Sequence, residues 1–262
     1  MHVIVCVKQV IDTERVSIDP RSQSIIRKEE TSYINPYDLR ALDLAMTLKK
    51  TYAAKITAIS MGPHMGEAVL REALAMGADR GILLTDKRFA AADTLATSYV
   101  LGMGIRRLGE FDLILCGAQS TDSGTAQVGP QLAEELNLPQ ITMADKIEQV
   151  DDHFRVERWS DGYHQVVEVA APVLVTIGQS ANIVLLPGLT DIQDAFETKA
   201  VEPWGLDDLA ADVEKVGLPG SGTWVVGFER ITRDRTCEFI EGDLRQQVQA
   251  LMDKLTQKHL IG

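Results

Sequence analysis

The sequence predicts an α/β protein: a doubly wound, mostly parallel sheet with an added antiparallel section and a C-terminal arm that ends in a helix. Three observations carry this. Short, continuously apolar, β-branched runs recur through the first half, as strands covered on both faces do. Amphipathic helical patterns separate them, the alternation expected of βαβ units. The 262 residues, 45% hydrophobic and 24% charged, suffice for one sizeable core without disulfides.

The first strand is Val3 to Val7. Val16 to Asp19 and Ser24 to Arg27, joined through Pro20-Arg21-Ser22-Gln23, read as a small hairpin after it. Asn35-Pro36-Tyr37-Asp38 opens the first helix, with Asn35 suited to N-cap, Pro36 to the first turn and Asp38 to the third helical position. Leu39, Leu42, Ala45, Met46 and Lys49 continue that helix at its own period. Then come a strand at Lys55 to Met61, a helix at Ala68 to Met76, a strand at Gly81 to Thr85, and a helix at Asp93 to Leu108. A strand at Asp112 to Cys116 and a helix at Gln127 to Leu136 complete the alternation. After Pro139 the pattern turns antiparallel, with strands at Ile147 to Val150, Phe154 to Trp159 and Gln165 to Val169 between acidic turns. Pro172 to Gly178 is a further buried strand. Residues 179–242 hold Pro187, Pro203 and Pro219 with little periodicity and suit an extension better than a core. Asp243 then caps a helix whose Leu244, Val248, Leu251, Met252 and Leu255 form an apolar stripe. The expected division is an α/β domain over 1–185 and an extension with a terminal helix over 186–262.

Composition limits the function. Lys plus Arg is 26 against 38 Asp plus Glu, a net charge of −12, which argues against nucleic-acid or anionic-membrane partners. Cys6, Cys116 and Cys237 make no CxxC pair, so a reducing compartment and no metal site are expected. No apolar run reaches the roughly 18 residues of a membrane span, and the chain opens on HVIVCV rather than a signal core. A cytoplasmic protein without membrane insertion is the expectation. The five histidines are scattered and no nucleophile stands out, so no catalytic side chain is expected.

The segment that carries chemistry is CGAQSTDSGTAQVGPQLAEEL, Cys116 to Leu136, which leaves a parallel strand and enters a helix. In such sheets ligands bind outside the carboxyl ends of the strands. Gly117, Gly124 and Gly129 permit tight turning, and Ser120, Thr121, Ser123 and Thr125 offer hydroxyls beside the free amides of a helix start. Phosphate suits that environment. With no Lys or Arg between Arg107 and Lys146, the expected holders are amides, hydroxyls and the helix dipole. It is neither a Walker A loop nor GxGxxG, and a capped surface loop explains the composition equally well. For Asn35 to Asp38, local physics favours plain helix capping over lining the crevice. Asp86 to Ser98 lies near the same crevice by topology and equally suits an ordinary loop and helix start.

Taken together the motifs resemble the β subunit of electron-transfer flavoproteins over nearly the whole chain. The matching pieces are VCVKQVID at Val5 to Asp12, NPYD at Asn35 to Asp38, ALAMGADRGILL at Ala73 to Leu84, and CGAQSTDSGTAQVGP at Cys116 to Pro130. The second-half signature is similar too, through Arg158, Asp161-Gly162, Gln165, Val167, Pro172 and VLVT, with Tyr163 departing from it. The resemblance implies a Rossmann-like adenine-nucleotide-binding domain, a heterodimer with an α subunit, and an arm that reaches the partner. The nucleotide contacts it implies fall on Cys6, Asn35, Pro36, Tyr37, Asp38, Met61, and Ala118, Gln119, Ser120, Thr121, Asp122, Ser123, Gly124, Thr125, Ala126, Gln127, Val128 and Gly129.

One branch of the family holds AMP structurally in this subunit. The other, flavin-bifurcating branch holds FAD there and takes hydride from NADH. FAAADTLATS at Phe89 to Ser98 resembles the second branch's F-A-G-A-D-T-x-A-T-S, which adds Asp93, Thr94 and Thr97 to the implied site; EFIEG at Glu238 to Gly242 also fits. Ala91 replaces Gly, and Ser123-Gly124 replaces Gly-Asp. The implied function is electron splitting between a low-potential acceptor, ferredoxin or flavodoxin, and the α-subunit FAD serving an acyl-CoA dehydrogenase-type enzyme. Leu186 falls on the family's dehydrogenase-docking leucine, but GLTDIQDAFETK after it carries acids where lysines are usual. The alternatives are the AMP-holding carrier and, in a different class, a nucleotide-binding sensor with no redox role.

Overall fold

A computed structural model describes residues 1–11, 17–18, 25–26, 32–179, 186–226 and 237–261. The chain opens with β1 (His2–Cys6), followed by two short antiparallel pairs. In these, β2 (Gln9–Ile11) faces β5 (Ser32–Ile34), and β3 (Ser17–Ile18) faces β4 (Ile25–Ile26). The second pair is the expected hairpin, whose turn at Pro20 to Gln23 lies outside the described residues. Next come α1 (Pro36–Tyr52), β6 (Lys55–Met61), α2 (Glu67–Met76), β7 (Arg80–Leu84), α3 (Thr94–Leu108), β8 (Leu113–Gly117) and α4 (Val128–Leu136). The antiparallel section is β9 (Gln140–Val150), β10 (His153–Ser160) and β11 (Tyr163–Ala170), and the chain then re-enters the parallel core as β12 (Val173–Ile177).

The nine-stranded sheet runs β11-β10-β9-β12-β8-β1-β6-β7, closed at the far edge by β13 (Val201–Trp204). Successive side chains of a strand point to opposite faces, and an all-apolar strand therefore feeds two cores. Val3 and Val5 pack with α1 and α2 on one face, while Ile4 and Cys6 pack with α3 and α4 on the other. All four are buried, and Ile4→Ala would cost about 2–5 kcal/mol as a cavity in a filled layer. The helices stop where their sequences say: Gly77 (φ 117°) ends α2 and Asn137 (φ 54°) ends α4, both left-handed.

Two regions depart from the sequence reading. β9 begins at Gln140, not at Ile147, and pairs in parallel with β12 before turning antiparallel with β10. A left-handed Met143 (φ 60°) and register shifts break the alternation that would have revealed it. Part of the supposed extension, β13, is an edge strand parallel to β7, and Trp204, Leu206 and Leu209 behind it are buried in the core. Four residues including a proline give no periodic signal, and proline is tolerated there because the strand is at the edge. The same stretch holds α5 (Leu189–Glu197) and the short α6 (Leu206–Leu209).

The chain forms two compact units, Met1–Val226 and Gly227–Gly262. In the second, α7 (Leu244–Gln257) starts with a reciprocal cap: Gln246 N donates to Asp243 Oδ1 and Asp243 N donates to Gln246 Oε1, both at 3.0 Å. Its Leu244, Val248, Leu251 and Met252 are exposed.

Candidate functional site

From β1 the chain moves outward through β6 and β7 and then returns to place β8 on the other side of β1. The carboxyl ends of β1 and β8 therefore flank the switch point of the sheet, where open α/β sheets leave a crevice. Three segments meet there: the turn after β1, the start of α1, and the loop from Gly117 to Gln127 that enters α4.

The start of α1 is not plain capping. Asn35 holds the N-cap position but makes no capping hydrogen bond with its side chain. Instead its Nδ2 donates to Gln119 O at 2.8 Å and its Oδ1 accepts from Thr121 N at 3.3 Å. Pro36 supplies the first-turn φ without an amide to satisfy. Tyr37 OH accepts from Gln119 Nε2 at 2.9 Å. Asp38 bridges the two strands: Oδ2 accepts from Lys8 N at 2.8 Å and Oδ1 from Gly117 N at 3.0 Å. Local propensity cannot reveal this, because the partners lie 79 and more residues away for Gly117, Gln119 and Thr121.

Burial pushes the Asp38 carboxyl up to about 7, against the Asn35 side chain, the Lys8 and Gly117 amides and the Lys8 charge, which all pull it down. Beneath it, a hydrogen bond with Cys6 and burial raise the Cys116 thiol well above its ordinary value. Cys6 and Cys116 are buried members of one core layer, and a thiol so raised is a packing group rather than a nucleophile.

Lys8 is the residue the sequence reading left out. Its Nζ donates to Asp122 Oδ1 at 2.7 Å and to Ser120 Oγ at 3.3 Å, so one cation does stand at the loop. The signal was available in VCVKQVID, where Lys8 follows the first strand directly. Ser120 and Ser123 hydroxyls lie 2.7 Å apart. Thr121 and the run from Ser123 to Gln127 are exposed, with Gly124 (φ 63°) and Ala126 (φ 55°) left-handed. Gly117 and Gly129 are needed for close approach within the protein: a Cβ on Gly117 would meet the Asp38 carboxylate and Tyr37, and one on Gly129 would meet Thr176. Ala118 is buried, its amide donating to Ile177 O at 2.9 Å, and Val128 is partly buried at the start of α4.

The second loop reaches the first through α3. Thr94 Oγ1 donates to Gln127 Oε1 at 3.0 Å, joining the starts of α3 and α4. Asp93 caps α3, its Oδ1 accepting from Leu95 N (2.9 Å) and Ala96 N (3.0 Å). Ala91, in the position where glycine is usual, is left-handed (φ 58°). Met61 ends β6 at the same edge of the sheet, and Thr97 lies one turn inside α3; neither side chain is joined to the loop by a hydrogen bond given by the described residues. Leu186 is 76% exposed just before α5. A separate cavity of about 430 Å³ lined by Met143, Asp145, Trp159, Gly178 and Gln179 contains none of the expected site residues.

The arrangement presents hydroxyls, left-handed turns, the amide-rich start of a helix and one lysine, a donor set that fits phosphate and sugar groups. The electron transfer flavoprotein domain matches residues 24–209. The electron transfer flavoprotein subunit beta of Thermoanaerobacterium thermosaccharolyticum is 41% identical over 261 residues, covering 100% of both chains. This chain belongs to the electron transfer flavoprotein β-subunit family. The β subunit of Clostridium acetobutylicum is 42% identical over 262 residues, again 100% of both chains. A third relative, the caffeyl-CoA reductase-Etf complex subunit CarD of Acetobacterium woodii, is 36% identical over 263 residues and 100% of both. β subunits of electron transfer flavoproteins pair with an α subunit, and among the described residues no helix is long and apolar enough to cross a membrane.

Proposed function

We propose that the chain is the β subunit of a heterodimeric flavoprotein of the bifurcating branch, holding FAD at the switch point with NADH as electron donor. The observation that carries this is the loop Phe89 to Ser98. Ala91 stands where the bifurcating pattern has glycine and is itself left-handed (φ 58°), a conformation that glycine adopts without cost, which supports a similar loop path. Ala90, Ala91 and Ala92 carry small side chains, and Ala90 and Ala91 are exposed, as close approach by a flat ring requires.

In this reading Ser120, Thr121, Ser123, Thr125 and the start of α4 hold the phosphates, with Lys8, paired with Asp122, fastening the loop beside them. Asn35, Tyr37, Asp38 and Gln119 fix the loop against β1 and β8, and Gly117 and Gly129 let it lie close. When bound, the flavin supplies hydride acceptance from NADH and one-electron transfer, to ferredoxin or flavodoxin on one branch and through the α-subunit FAD on the other. The chain's own residues bind, orient and exclude water, and none acts as nucleophile or general base. Leu186 and the exposed face of α5 are the proposed docking point for an acyl-CoA dehydrogenase-type enzyme. The Acetobacterium woodii relative, a subunit of a caffeyl-CoA reductase-Etf complex, supports a partner that acts on a CoA ester.

The test is the cofactor content of the heterodimer, with FAD and AMP released by acid and quantified. Two FAD and no AMP is the expected result; one FAD with one AMP makes the chain a structural nucleotide holder. Thr125→Val should lower the retained nucleotide, and undiminished occupancy would limit Thr125 to shaping the turn.

A further inference from the structure

The segment 217–223, which leads toward the second unit, lies across the Phe89–Asp93 loop. Gly217 (φ 56°) sits so close that a Cβ there would meet the Arg88 and Ala90 carbonyls. Ser221 Oγ accepts from Asp93 N at 2.9 Å and donates toward Gly217 O (2.8 Å) and Ala91 O (3.4 Å). Asp93 Oδ2 accepts from Thr223 N (2.9 Å) and Thr223 Oγ1 (3.0 Å), while its Oδ1 caps α3. One carboxylate thus serves two masters: the helix start that is joined through Thr94 to Gln127 of the site loop, and a strap from the far end of the domain.

We infer that the strap 217–223, pinned on Asp93 by Thr223 and Ser221, is coupled to the nucleotide site, so that releasing it loosens nucleotide and binding nucleotide tightens it. This rests on the reading of the switch-point crevice as a nucleotide site. The route is physical and continuous, from Thr223 to Asp93, from Asp93 to the first turn of α3, and from Thr94 to Gln127. Freeing the strap removes two of the four hydrogen bonds on the Asp93 carboxylate and deprives the Asp93 amide of its acceptor, in a loop that already holds a left-handed alanine. Linkage requires the effect to run both ways by the same factor. Asp93 is accordingly a positioning residue whose carboxylate faces protein donors rather than the ligand.

The test uses the complex with the α subunit and three proteins: wild type, Thr223→Val, and Thr223→Ser as the rescue. Dissociation constants for added FAD and AMP are measured after the resident nucleotide is stripped, alongside hydrogen exchange at the amides of Asp93 and Thr223. Thr223→Val should weaken nucleotide binding at this site by about fivefold or more. Thr223→Ser should restore it, and nucleotide should slow exchange at both amides in the wild type. Equal affinity in Thr223→Val and wild type overturns the coupling and leaves the site reading standing. A wild-type complex that takes no nucleotide at this site overturns both.

Discussion

Both oxygens of Asp38 accept from main-chain amides, of Lys8 in the turn after β1 and of Gly117 at the end of β8, yet burial lifts its carboxyl to about 7 from an ordinary 3.8. Between those values the folded protein holds a proton that the unfolded chain has released. Stability therefore falls as pH rises through that window and levels off above it, a swing on the order of a few kcal/mol. Asp86 behaves in the opposite sense. Arg88 holds its carboxyl well below the usual range, so its contribution is complete above the ordinary carboxylate value and is lost on acidification. Asp38→Asn should flatten the pH dependence of the urea midpoint between about pH 4 and 7. It should also lower the midpoint throughout, because the amide NH₂ then faces one of two main-chain donors, at a cost of about 1–3 kcal/mol. An unchanged slope would mean that Asp38 stays ionised in the fold.

The elements that could be read from sequence were those whose signal is local. β1, β6, β7 and β8 are short runs buried on both faces, and α1 to α4 carry their own periods, so each was legible within a residue or two, except that α1 runs to Tyr52, three residues past the Lys49 at which its pattern was read. β13 was not, because its place is fixed by pairing with β7 and by Trp204 entering the core, neither of which four residues with a proline can announce. The site divides in the same way. The hydroxyl-rich loop was visible as composition, whereas the crossing of Asn35 to Gln119 and Thr121, and of Lys8 to Asp122, depends on two strands lying side by side. The terminal helix was legible down to its Asp243 cap. Its exposed stripe leads to a prediction at this scale: deleting Gly242 to Gly262 should weaken co-purification with the α subunit, each buried leucine being worth about 1.5–3 kcal/mol. Undiminished association would assign the helix some other contact.

For the molecule as a whole, the net charge of −12 sets the terms on which partners meet it. Asp191, Asp194 and Glu197 lie on α5 with the exposed Leu189 and Phe196, just after Leu186. A docking enzyme for this face should present basic groups around an apolar pocket, so raising ionic strength should slow electron delivery to it. Leu186→Ala should weaken the docking itself, read as a higher KM for this protein at unchanged kcat. Rates indifferent to both salt and Leu186 would move the docking point elsewhere.

The two ends of the sheet are unlike. At one, β13 is four residues long and contains Pro203, which blunts further strand addition. At the other, β11 runs for eight residues without a proline, with Tyr163 and Val166 exposed, and no described strand pairs with its outer side. By strand chemistry β11, not β13, is therefore the edge at which a further strand could add.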